Sequence, residues 1–157
     1  MNNVIEFRIL ICIMIFYTTL SSCNNDSNIV REMPQTVIGT GNLNGNGNEN
    51  IPKINLVIDN EQDWVDLVAK IDSYNKVSDR FTETDIDFSA YKVLAVFEEV
   101  KMTGGYTIQI EQIIETNNHI EAIINTGSPS GGAYAAITQP FFISKIKKTN
   151  KKIIFIE

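Results

Sequence analysis

The sequence predicts an α+β fold that is mainly antiparallel β, a small sandwich or open barrel of five to seven short strands with one amphipathic helix. Three observations lead there. Ile54, Leu56 and Ile58 fall at the two-residue period of a strand, and later Tyr106, Ile108 and Ile110 alternate with Thr107, Gln109 and Glu111 as a half-buried strand does. Val93 to Phe97 is an unbroken apolar run, which reads as a strand covered on both faces. Only one stretch, Trp64, Leu67, Val68 and Ile71, shows helical spacing. The 157 residues, 43% hydrophobic and 20% charged, make one domain of ordinary size and rule out global disorder. A net charge of -6 repels a phosphate backbone, so no nucleic-acid partner is expected.

Residues 1–22 read as a lipoprotein signal peptide. Arg8 precedes the apolar run Ile9 to Tyr17, about half the length needed to cross a bilayer, and Leu20, Ser21, Ser22, Cys23 looks like the lipobox of bacterial lipoproteins. Cys23 is the expected lipidation site and the first residue of the mature chain. Cys12 leaves with the signal, so the mature chain keeps no free thiol for a disulfide, a metal site or a nucleophile. The expected location is the bacterial cell envelope, held by lipid on Cys23 at the outer membrane, facing the periplasm or the surface.

From Cys23 to Pro52 the sequence reads as the lipidated Cys and a flexible tether, because Gly39 to Asn50 holds four Gly and five Asn. An ordered strand at Thr36 to Thr40 is the alternative. The single domain is then 53–157. Its helix begins after Asn60, which suits an N-cap before Glu61 and Asp63, and ends near Asn75.

The turn at Thr116, Asn117 and Asn118 joins two strands. A two-residue loop at Asn117 and Asn118 would set Ile114 opposite Glu121 and Ile110 opposite Asn125. A three-residue loop with Asn118 left-handed sets Ile110 opposite Ile124 and Ile114 opposite Ile120, and is expected for that reason. Phe141 to Ile146 and Lys152 to Ile156 read as a closing hairpin that pairs Ile146 with Ile153. Pro140 marks a strand start, a bulge or an edge.

Catalytic chemistry is missing. His119 stands at a hairpin tip without a partner at triad or metal-ligand spacing, and Asp85 with Asp87 lies in an acidic connector. No enzyme activity, cofactor or metal is expected. Charge is uneven: eleven acidic residues lie between Asp59 and Glu99, whereas Lys145, Lys147, Lys148, Lys151 and Lys152 make the last hairpin basic. Those lysines read first as edge-strand protection and second as a contact for anionic lipid or an acidic partner.

Asp87, Phe88, Ser89, then Val93 to Phe97, then Lys101, Met102, Thr103, Gly104, Gly105 and Tyr106 carry the most specific pattern. Together with Pro129 and Gly131, and with Gln139, Pro140 and Phe141, it resembles the C-terminal domain family of PrcB, a protease complex subunit, over about 85–157. Glu98 and Glu99 stand where members usually carry Gly. The resemblance implies a lipid-anchored accessory subunit of an envelope protease, with Thr103, Gly104, Gly105, Tyr106, Pro129, Gly131, Gln139, Pro140 and Phe141 as partner-binding positions. The same three segments are similar, more distantly, to the loops of chagasin-type protease inhibitors, and a purely structural or small-ligand-binding envelope lipoprotein is the third reading.

Overall fold

The computed structural model describes residues 30–44, 46–131 and 135–157. The expected signal peptide and Cys23 lie outside the described residues. The strands are β1 (Arg31–Glu32), β2 (Gln35–Leu43), β3 (Ile54–Ile58), β4 (Tyr91–Phe97), β5 (Thr107–Glu115), β6 (His119–Gly127), β7 (Gln139–Lys147) and β8 (Lys152–Ile156), with one helix α1 (Glu61–Ile71) and a 3-10 turn at Val77–Arg80. They form two four-stranded sheets, ordered β1-β5-β6-β8 and β2-β7-β4-β3. All pairings are antiparallel except β6 with β8. The predicted class holds, with eight strands rather than five to seven and no closed barrel.

Three layers result, because the second sheet is apolar on both faces. One face presents Val93, Ala95, Phe97, Phe141 and Ile143 to Trp64, Leu67 and Ile71 of α1. The other presents Leu94, Val96, Phe142 and Ile146 to Ile108, Ile110, Ile113, Ile120 and Ala122 of the first sheet. The run Val93 to Phe97 is therefore fully buried, as its lack of alternation predicts. α1 is capped as expected: the Asn60 side chain accepts a 3.0 Å hydrogen bond from the Asp63 amide. The indole of Trp64 donates to the Thr84 carbonyl at 2.8 Å, which ties the acidic connector to the helix.

Three expectations are corrected. Over residues 31–44 and 46–52 the flexible tether gives way to structure: β2 pairs with β7 along its length, and Ile38, Leu43 and Ile51 are core residues. The alternative strand at Thr36 to Thr40 lies within β2. Gly39 serves packing here, since a Cβ on it would lie 2.5 Å from the Phe81 ring.

β7 and β8 form no hairpin. Lys145 of β7 already faces Thr36 on one side and Val93 on the other, so both edges of β7 are occupied and β8 joins β6, with Ile153 beside Ile120. The basic hairpin tip disappears with it. Lys145 pairs with Glu83 at 2.6 Å and sits over the Tyr91 ring, and Lys151 pairs with Glu115 at 2.9 Å.

The β5–β6 turn takes the two-residue register at its tip: Ile114 faces Glu121, and Thr116 and His119 are joined by a Thr116 N–H to His119 carbonyl bond of 2.9 Å. A bulge between Ile110 and Gln112 then restores Ile110 opposite Ile124. The extra residue reverses which parity faces the core, so Ile108, Ile110 and Ile113 are all buried. Asn118 is not left-handed; the non-Gly residues with positive φ are Asn46 and Asn50 among the described residues.

Candidate functional site

The strand directions gather the ends of β2, β4, β6 and β8 and the starts of β3, β5 and β7 at one end of the sandwich. The described residues 44, 46–53, 98–106, 128–131 and 135–138 therefore meet there. Lys101 and Thr138 exchange backbone hydrogen bonds of 2.7 and 3.0 Å, and the Thr138 hydroxyl donates to the Thr103 carbonyl at 3.2 Å. The 98–106 segment is thus clamped to the entry of β7.

Gly105 has φ of +94°, and a Cβ there would come 2.9 Å from Pro129 Cβ. Two motif segments that the sequence separates are in contact. Tyr106 is half-buried under the Lys101 ammonium, which lies 5.1 Å from the ring centroid. Lys101 also pairs with Glu99 at 2.8 Å and approaches Glu98 at 3.8 Å. The bond to Glu99 raises the Lys101 pKa above its ordinary value and lowers that of Glu99. Glu98 is only 7% exposed, and its carboxylate accepts from the Glu99 amide at 2.8 Å. A cavity of 70 Å³ opens between Glu98, Lys101, Tyr106, Thr107 and Thr126 to Ser128. It has room for a few waters and no organic substrate. On the same segment Met102 is 74% exposed, and Val100, two residues earlier, is exposed too.

The expected positions divide. Thr103, Gly104, Gly105, Tyr106 and Pro129 come together at this end, and Gly131 is exposed, with open space where a Cβ would stand. Gln139, Pro140 and Phe141 do not offer a contact surface, because β7 is a central strand and all three are buried. Gln139, 1% exposed, donates from Nε2 to the carbonyls of Ile51 at 2.7 Å and Glu98 at 2.9 Å. Phe141 stacks on Phe97 with ring centroids 6.1 Å apart. The Pro-aromatic turn needed by the inhibitor likeness is therefore core. Sequence reasoning named Met102 only as part of the motif and did not single out Val100 or Met102 as contact positions; their apolar side chains flanking Lys101 between two strands were the available signal.

His119 has an acidic neighbour that the sequence reading lacked: its Nε2 and Glu121 Oε1 lie 2.8 Å apart, and Thr116 Oγ1 lies 3.2 Å from Nδ1. Among the described residues no group of three or more His, Cys, Asp or Glu side chains is placed to hold a metal ion.

Fold and site together define a three-layer β domain whose most specific feature is a clamped loop end. Residues 92–147 match the family model described as PrcB C-terminal, which spans β4 to β7 and includes the Lys101 to Tyr106 segment. That family is of an accessory or subunit type and is not a known enzyme family. No curated protein and no solved structure matches the chain.

Proposed function

We propose that the chain is a lipid-anchored envelope lipoprotein acting as a non-enzymatic accessory subunit of an envelope protease, and that it contacts the protease through the loop end. The match over 92–147 carries this reading, because it includes the 98–106 and 128–131 segments that form that end. The chemistry of the end agrees with protein binding. Met102 and Val100 are exposed apolar side chains on the segment whose Lys101 lies over the Tyr106 ring and pairs with Glu99. Apolar and aromatic anchors ringed by charge are what protein interfaces enrich.

The test is photocrosslinking in intact cells from a probe at Met102, with a control probe at Val65 on the exposed face of α1. Capture of a protease from position 102 and not from 65 is expected. Recovery of only unrelated envelope proteins from both overturns the reading.

A further inference from the structure

We infer that the opposite end of the sandwich rests on an anionic phospholipid surface, so that the loop end bearing Tyr106 points away from the membrane. The inference rests on the anchor at Cys23 proposed above. Seven residues separate Cys23 from Arg31 at the start of β1. Eight Cα steps of about 3.5 Å reach at most roughly 28 Å whatever their conformation. A tether running to Pro52 would have left the domain free to tumble; a reach of roughly 28 Å keeps the β1 end close to the bilayer.

Arg31 pairs with Glu115 at the end of β5, and the same end carries the starts of β6 and β8 and the end of β7. The anchored end is thus the one away from Tyr106, separated from it by the nine residues of β5, about 30 Å of strand.

Charge favours the same contact. Arg31 and Lys147 line one groove of 230 Å³ where the chain enters, with Glu32 beside them. Glu115 is shared between Arg31 and Lys151, and Asp59 lies 3.6 Å from Lys92. Lys147 and Lys152 are exposed, and among the described residues neither has a carboxylate within ion-pair distance. Exposed carboxylates at Glu61, Asp63 and Asp66 on α1 are repelled by anionic headgroups, which turns the β1 and β8 side of this end toward the lipid.

The full chain, with diacylglycerol on Cys23 verified by intact mass, is reconstituted into vesicles of phosphatidylglycerol and phosphatidylcholine that contain a headgroup nitroxide lipid. A fluorophore is attached at Lys152→Cys or at Met102→Cys. Quenching at 152 several-fold stronger than at 102 is expected, with the difference shrinking in pure phosphatidylcholine. Equal or reversed quenching on a diacylated chain overturns this orientation and leaves the anchor standing. A difference unchanged in pure phosphatidylcholine overturns the role of anionic headgroups. Absence of diacylglycerol from Cys23 overturns anchor and orientation together.

Discussion

Gly105 lies against Pro129 so closely that a methyl group on Gly105 would sit 2.9 Å from Pro129 Cβ, at a backbone angle, φ +94°, that L residues rarely adopt. This contact joins the 98–106 segment to Pro129, just after β6, and sets the shape of the loop end. Gly105→Ala is expected to destabilise the domain by about 2 kcal/mol, from backbone strain and the close approach combined. Pro129→Gly should relieve the steric part, so a double-mutant cycle by urea unfolding is expected to give a non-zero coupling; strict additivity would show that the contact carries nothing.

Gln139 is a core polar residue whose amide satisfies two carbonyls from different segments, Ile51 and Glu98. Gln139→Leu should cost about 2 to 4 kcal/mol, since both carbonyls would remain buried without a donor. A loss below half a kcal/mol in denaturant midpoint analysis would contradict the clamp.

Phe141→Ala is expected to lose about 3 to 5 kcal/mol, the range for emptying a large aromatic site in a core. The ring packs on Phe97 and Phe81 and is 2% exposed. A stable Phe141→Ala protein with full thermal midpoint would place the ring at the surface after all.

The bulged residue Glu111 can be removed without disturbing which side chains face inward. With Glu111 gone, Ile108, Ile110 and Ile113 keep an unbroken two-residue alternation against Ile124 and Ala122. Deletion of Glu111 should leave a folded protein by near-ultraviolet circular dichroism, whereas deletion of Gln109 turns Ile108 to solvent and should unfold or aggregate the chain.

The Glu115 carboxyl is held below its ordinary value of 4.5 by hydrogen bonds from Lys151 first and Arg31 second. A folded-state pKa below the unfolded one means that the unfolded chain binds more protons at acid pH. The contribution is therefore present above about pH 4.5 and is lost as pH falls through the depressed folded value. Glu157, lowered chiefly by Lys53, and Asp87, lowered by the Ser89 hydroxyl, have the same sign. Glu115→Gln is expected to show a shallower fall in urea midpoint between pH 5 and 3 than the parent chain; parallel curves would remove Glu115 from the acid response.

The loop end was legible in part. Thr103 to Tyr106 stood out because two consecutive Gly between Thr103 and an aromatic residue, shortly after Lys101, mark a tight, specific turn. Gln139 to Phe141 carried an equally conspicuous Pro-aromatic step, yet the step enters a central strand, where Pro140 accepts a 3.0 Å hydrogen bond from the Glu98 amide and is not asked to donate. No local pattern distinguishes those two outcomes.

By itself the sequence determined the elements whose cause is local. These are α1 with its Asn60 cap and apolar stripe, the buried run of β4, the alternation of β5 and β6, and thereby the mainly antiparallel class. Tertiary structure alone decided what each edge and each glycine met. β8 left β7 because β2 and β4 fill both its edges, Gly39 became a seat for Phe81, and the bulge at Glu111 reconciled a two-residue turn with an apolar core. Strand partnership and close packing depend on groups far apart in the chain, so the sequence held the parts and only the assembled core chose their neighbours.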